Sequence, residues 1–161
     1  MTKPVLNIIG TGKLGSVIGR LLADGRQLRI GNLYSRNLAK AQAAQQFIGQ
    51  GTPIDRLDHA QPAAVWLIAT SDDAIGNIAS ELAALDLKWK SATVFHCSGI
   101  HSSQLLAPLQ ELGASTASLH PAHSFADPQA SLKSFPGTCC TPEGDQQAID
   151  YLEILFSPLG V

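Results

Sequence analysis

Cysteine is scarce in this chain. Cys97, Cys139 and Cys140 are the only three among 161 residues, an odd count without framework spacing, which excludes a disulfide scaffold and fits a reducing compartment. Long apolar runs are lacking as well, and none approaches the ~20 residues that a membrane helix needs. Neither sign of charge dominates. With 11 Lys and Arg against 13 Asp and Glu, the net charge is −2, and the scattered basic residues leave no electrostatic footprint for nucleic acid. Met1-Thr2-Lys3-Pro4 leads at once into an apolar run, so no signal peptide is expected. These absences point to a cytoplasmic protein whose partner is a small-molecule substrate, with no role for nucleic acid or membrane. The length suits one domain with a buried core and leaves no room for a second catalytic domain.

What is present is an alternation of two hydrophobic periods. Strands are expected at 5–9, 28–34, 64–69, 93–96, 115–120 and 138–141, with a further short one near Thr52 in an irregular crossover spanning 49–62. Helices are expected at 13–24, closed by Gly25, and at 38–47, capped by Asn37. Another follows a cap at Ser71 or Asp72 and carries Ile75, Ile78, Ala79, Leu82 and Leu85 at helical spacing. Two more cover 103–112, ended by Gly113, and 145–156, after a loop rich in Ser, Ala and Pro. Such alternation predicts the α/β class, as a single domain built on an open, doubly wound parallel sheet. In sheets of this kind ligands bind beyond the carboxyl ends of the strands. The polar and glycine residues gather at those ends: Gly10 to Gly12, Ser35 and Arg36, Thr70 to Asp72, His96 to Gly99, and His120 to His123.

The most informative stretch is Gly10-Thr11-Gly12-Lys13-Leu14-Gly15, placed between the apolar run Val5 to Ile9 and an amphipathic segment. Leu14, Val17, Ile18, Leu21 and Leu22 form one stripe at i, i+3, i+4, i+7 and i+8. A dinucleotide pocket uses the first glycine for a sharp turn, the second for clearance of a pyrophosphate and the third for close helix packing. Free amides of the helix's first turn then face the phosphates, aided by the helix dipole.

An NAD site places a carboxylate near the end of the second strand, to bind the adenosine ribose. Here that segment reads Leu33-Tyr34-Ser35-Arg36-Asn37, with no acid to repel a 2′-phosphate and with a hydroxyl and a guanidinium able to bind one. Asp24 comes too early to replace the missing acid. NADP is therefore the expected cofactor.

His96-Cys97-Ser98-Gly99-Ile100-His101 and His120-Pro121-Ala122-His123-Ser124-Phe125 place four imidazoles and a thiol beyond two strands. An imidazole titrating near neutrality could protonate a carbonyl or imine, or the histidines could simply bond loop backbone. The spacing matches no strong zinc pattern, so no metal is expected. Cys97 reads as a packing residue, because no base is identifiable for it, and Cys139 and Cys140 read as filler on opposite faces of a strand.

Taken together, Gly10 to Gly15, Tyr34-Ser35-Arg36, Ala69-Thr70-Ser71-Asp72-Asp73-Ala74-Ile75, His96-Cys97-Ser98-Gly99 and His120-Pro121 with Phe125 resemble the amino-terminal half of a Rossmann-like family. Members of this family carry an all-helical carboxyl-terminal domain of uncharacterised function. The family lies in the 6-phosphogluconate dehydrogenase-like superfamily, and its first strand-helix-strand unit is similar to that of pyrroline-5-carboxylate reductase and the deazaflavin-dependent NADP reductases. The resemblance implies that Gly10, Thr11, Gly12, Lys13, Leu14 and Gly15 line the pyrophosphate, and Ser35 and Arg36 the ribose phosphate. It implies that Ala69, Thr70 and Ser71 line the adenosine-to-nicotinamide span, with Ser98 and His120 at the nicotinamide end. In relatives the chain runs on past the equivalent of Ser157 to Val161 into the helical domain, which completes the substrate cleft and usually supplies the dimer interface. An isolated cofactor domain spanning 1–161 is expected here, with an apolar face that could pair two copies as a homodimer.

Two functions follow as expectations. In the first, the chain is the cofactor domain of an oxidoreductase that moves hydride between NADP(H) and a small carbonyl or imine, or an alcohol or amine. Ser98 would orient the substrate, and His120 or His96 would serve as the acid. In the second, it is a sensor that binds NADP(H) without turnover. A metal- or thiol-based hydrolase using His96, Cys97 and His120 is a distant third.

Overall fold

In a computed structural model describing residues 2–161, seven strands form one sheet in the order β3-β2-β1-β4-β5-β6-β7. The strands are β1 (Val5–Ile9), β2 (Arg29–Tyr34), β3 (Thr52–Ile54), β4 (Val65–Ile68), β5 (Thr93–His96), β6 (Ser115–Pro121) and β7 (Cys140–Gly144). The helices are α1 (Lys13–Asp24), α2 (Leu38–Ile48), α3 (Ile75–Ala83), α4 (Ala107–Gln110), α5 (Pro128–Ser134) and α6 (Gln146–Phe156). Met1, part of the amino-terminal reading, lies outside the described residues.

The alternation of side chains along each strand divides the core in two. Leu6, Ile8, Leu67 and Phe95 face one layer with α1, α2 and α6. Ile9, Trp66, Ile68 and Val94 face the other, with α3 and α4. β4 is buried on both faces along its whole length, as its unbroken apolar run requires.

Strands β1 to β6 are parallel to their neighbours, but β7 runs antiparallel to β6, with Pro121 opposite Cys140 and Ala117 opposite Gly144. This corrects the expectation of an all-parallel sheet. A parallel seventh strand would need a crossover that carries the chain back along the sheet. Here α5 packs on α1 instead, and the chain re-enters at the edge it left, with the Ala122 amide bonded to the Cys139 carbonyl at 2.8 Å. Cys140, half-buried, packs against the core while Cys139 is exposed.

Helix α5 itself falls in the segment expected to be loop. Asp127 caps it, accepting from the amides of Gln129 (3.1 Å) and Ala130 (3.3 Å), and Pro128 opens its first turn. The single helix expected at 103–112 is divided into a 3-10 turn, Ser103–Leu106, and the one-turn α4. Pro108 has no amide to give the Gln104 carbonyl, which accepts from Ala107 instead. Gly25 does not take a left-handed cap (φ −64°); Arg26 does, at φ +59°. Neither Ser71 nor Asp72 caps α3 with its side chain, because a 3-10 turn, Asp72–Ala74, intervenes. Leu85 lies beyond the end of α3, although it still packs against that core layer.

One buried polar group shapes the centre of the sheet. Asn7, 1% exposed on β1, accepts from the Asn32 amide and donates to the Gln61 carbonyl, both at 2.7 Å. Asn32 returns the bond, accepting from the Gln61 amide at 2.7 Å. The carboxamide takes the place of a backbone partner, and the β1–β2 register slips by one residue there, with Leu6 opposite Ile30 and Ile8 opposite Leu33.

Candidate functional site

The carboxyl end of β1 is tied to both neighbours before it turns. The Gly10 amide bonds the Tyr34 carbonyl at 3.0 Å, and the Ala69 amide bonds the Ile9 carbonyl at 2.7 Å. Gly10 has φ +106°, and a Cβ there would lie 2.6 Å from the Ala69 carbonyl, so this glycine is demanded by the fold. So is Gly15, whose Cβ would collide with the Gly10 carbonyl oxygen and press on Ala69. Gly12 differs. Its φ is −71°, and a Cβ would meet nothing within 4 Å. It precedes α1, which has no side-chain N-cap and no acidic residue in its first turn. The helix therefore begins with open amides at the positive end of its dipole.

In front of this turn lies a cleft of about 480 Å³, lined by Gly10, Thr11 and Gly12, by Tyr34, Ser35, Arg36 and Lys40, by Ala69, Thr70 and Ser71, and by Ala74, Asn77, Ile78 and Glu81 of the α3 region. The exposed Arg36 and Lys40 take part in no ion pair among the described residues. The Ser35 hydroxyl accepts from the Asn37 amide at 3.2 Å. Burial, and then the Glu81 carboxylate, push the Tyr34 phenol above its ordinary value, with Arg36 opposing them.

A second, smaller cleft of about 90 Å³ adjoins the first through Ala69 and Thr70, and is completed by Leu14, Ile68, Asp72, Ile75, Cys97 and Ser98. Among the described residues the buried Thr70 hydroxyl oxygen has no hydrogen-bond partner, which is rare for a polar atom unless something else completes it. Burial pushes the Cys97 thiol far up, so it stays protonated and unreactive.

The histidines separate into different environments. His96 is fully buried; its Nδ1 accepts from the Ser98 amide at 3.1 Å and its Nε2 lies 2.9 Å from the Ser102 carbonyl. These partners define a neutral ring carrying its proton on Nε2, and burial lowers its pKa. His120 is exposed, with its ring lying on Gly99, where a Cβ would come within 2.6 Å of Cε1. His123 is turned away into an aromatic cluster with Phe125 and Phe135, its Nε2 3.1 Å from the Ser131 hydroxyl.

Of the residues expected at a cofactor site, Gly10, Thr11, Gly12, Ser35, Arg36, Ala69, Thr70 and Ser71 line the larger cleft, and Leu14, Ala69, Thr70 and Ser98 the smaller. Lys13 and Gly15 line neither; Lys13 is exposed at the helix start and Gly15 is buried beneath the turn. Sequence reasoning passed over Lys40, Asn77, Ile78 and Glu81. The signal for Lys40 was its place one helical turn beyond Arg36. The three others lie at i, i+1 and i+4 on α3, but nothing in the sequence said that this face borders a cleft.

The Rossmann-like domain family matches residues 2–121. The chain belongs to that family. Among the curated proteins none matches it. As a Rossmann-like domain it superposes on a candidate NADP oxidoreductase from Bacteroides fragilis with a TM-score of 0.81 at 17% identity, covering 98% of this chain and 57% of that one. For the prephenate dehydrogenase of Aquifex aeolicus the TM-score is 0.76 at 17% identity, with coverage of 96% and 58%. A reductive aminase from Aspergillus terreus, in complex with NADPH and ethyl-5-oxohexanoate, gives 0.71 at 14%, with coverage of 97% and 52%. At these identities the likeness establishes the fold. The Rossmann-like domain thus spans little more than half the length of these proteins. Among its described residues no helix is long and apolar enough to cross a membrane.

Proposed function

We infer that this Rossmann-like domain binds NADP(H) and serves a cytoplasmic oxidoreductase acting on a small carbonyl or imine, or on the corresponding alcohol or amine. The observation that carries the reading is Gly12. The fold needs no glycine there, yet one stands at the uncapped start of α1, where a phosphate would occupy the space. The unpartnered Thr70 hydroxyl between the two clefts supports the same occupant. The absence of a carboxylate after β2, with Arg36 and Lys40 in its place, supports the 2′-phosphorylated form. Two of the similar structures support a nicotinamide dinucleotide as the occupant without choosing between its two forms: the reductive aminase holds NADPH, and a complex of the Aquifex dehydrogenase holds NAD+.

Gly10, Thr11, Gly12 and the first-turn amides of Lys13, Leu14 and Gly15 would hold the pyrophosphate; Ser35, Arg36 and Lys40 the 2′-phosphate; and Ala69, Thr70 and Ser71 the span toward nicotinamide. Bound in this way, the cofactor supplies hydride-transfer chemistry at the smaller cleft. Ser98 would orient the substrate there, and the exposed His120 is the better placed acid, because both ring nitrogens of His96 are already engaged. Fluorescence titration with NADPH and NADH tests the reading. Tighter binding of NADPH is expected; NADH binding at least as tightly would remove the 2′-phosphate assignment, and no binding of either would remove the whole. Turnover with small aldehydes, ketones or imines separates an enzyme from a sensor.

A further inference from the structure

We propose that His96 is a positioning residue, which closes the 97–102 loop into a ring so that Ser98 is held at the nicotinamide end of the cleft, with Glu143 of β7 as the ring's outer anchor. The inference rests on the NADP(H) reading above. One buried imidazole reaches both ends of the loop: Nδ1 accepts from the Ser98 amide at 3.1 Å, and Nε2–H donates to the Ser102 carbonyl at 2.9 Å. Inside the ring the Ser98 hydroxyl accepts from the Ile100 amide at 3.3 Å. Just outside it the Ser102 hydroxyl accepts from the Gln104 amide at 3.3 Å, starting the 3-10 turn.

That turn is held from β7. Glu143 accepts from the Ser103 amide at 2.7 Å, from the Ser103 hydroxyl at 2.9 Å and from the Ser118 hydroxyl at 3.1 Å. The same carboxylate therefore grips both the loop's exit and the middle of β6. Cys97 and Ser98 are buried and the His120 ring lies on Gly99, but Ile100, at the loop tip, is 77% exposed, so past Gly99 the loop has little packing of its own to hold it. Its shape depends on the imidazole and on the anchor.

The arrangement is sensitive to one proton. An imidazolium has no lone pair on Nδ1 and cannot accept from the Ser98 amide. Burial disfavours the charged ring, helped by His101 from the loop itself, and together they outweigh the Ser102 carbonyl, Glu143 from β7 and Asp72 from the turn after β4, which favour it. The ring therefore opens only below the ordinary histidine range.

Two probes separate the halves of the cleft: NADP+, and 2′-phospho-ADP-ribose, which retains every phosphate and lacks the nicotinamide. In His96→Leu the affinity for NADP+ should fall up to about tenfold, the size of a lost hydrogen bond or two, while that for 2′-phospho-ADP-ribose stays within about twofold. His96→Asn, whose Oδ1 can still accept from the Ser98 amide, should recover most of the loss. Equal weakening of both probes, or no change in either, overturns the proposal. Should His96→Leu fail to fold, the wild-type protein still decides: its preference for NADP+ over 2′-phospho-ADP-ribose should fall on acidification, at a midpoint that Glu143→Gln moves to lower pH. A preference flat with pH, or a midpoint that Glu143→Gln leaves in place, overturns it. If the wild type binds 2′-phospho-ADP-ribose no better than ADP-ribose, the 2′-phosphate reading fails while the loop proposal is still judged by the nicotinamide difference. If it binds no dinucleotide at all, both fall together.

Discussion

At Gly12 a Cβ would meet no atom of the described residues within 4 Å, and the backbone angle suits any L residue, whereas at Gly10 the left-handed φ and the Ala69 carbonyl forbid one. The two substitutions should therefore part company. Gly12→Ala is expected to keep its stability within roughly 0.5 kcal/mol, as for surface changes elsewhere, and to lose NADPH affinity because the methyl group occupies phosphate space. Gly10→Ala should cost about 1 to 3 kcal/mol in backbone strain, with the collision against the Ala69 carbonyl in addition. Urea denaturation beside NADPH titration checks both; a Gly12→Ala protein that binds normally would show that the space is not used by phosphate. Arg36 is a simpler case. It is exposed and unpaired, so Arg36→Ala should leave folding alone and weaken NADPH by about 1 to 3 kcal/mol, as for a lost charged hydrogen bond. NADH affinity should hardly change, and a parallel loss for both nucleotides would contradict the 2′-phosphate assignment.

Among the elements, those with strong periodicity were readable in the sequence and those with strong local chemistry were not always read. The apolar stripe of α1 and the doubly buried β4 follow directly from pattern, because burial on one or two faces dictates which positions are apolar, while the cap of α2 was read from the chemistry of Asn37, which accepts from the Ala39 and Lys40 amides. Helix α5 escaped because its seven residues carry too little periodicity to register, although Asp127-Pro128 is a cap followed by a proline at the first helical position. That cap is testable. Asp127→Ala should destabilise the protein by about 0.5 to 2 kcal/mol, with Asp127→Asn losing much less, measured by thermal unfolding. The effect reaches past α5 itself, since the helix packs on α1 and its Ser131 holds His123. A cap variant as stable as the wild type would mean that α5 is held by packing alone.

Across the whole molecule, most of the lining of the larger cleft was legible and the bonds that hold the loop beside the smaller one were not, for one reason: glycines and a missing acid leave marks in the sequence, while hydrogen bonds made across the sheet leave none. The antiparallel course of β7 carries Glu143 to the 97–102 loop region and Asp145 to β6, where it accepts from the Thr116 amide at 2.7 Å. Neither role can be read from a carboxylate's position in the chain. The same arrangement governs the response to acid. His96 has its pKa lowered from 6.5, chiefly by burial, so the unfolded chain takes up its proton first and stability begins to fall as pH drops below 6.5, until the folded protein's ring is protonated in turn. Glu143 has its pKa lowered from 4.5, first by the Ser103 amide. Its contribution is complete above 4.5 and is lost as pH falls through the lower folded value, and it is modest because the carboxylate is solvent-exposed. Stability measured by urea unfolding from pH 8 to 3 should therefore decline in two stages. His96→Asn should flatten the stage that begins near pH 6.5, and Glu143→Gln the stage below pH 4.5. Were His96→Asn to leave the first stage unaltered, the imidazole would not be the group that resists protonation in the folded protein.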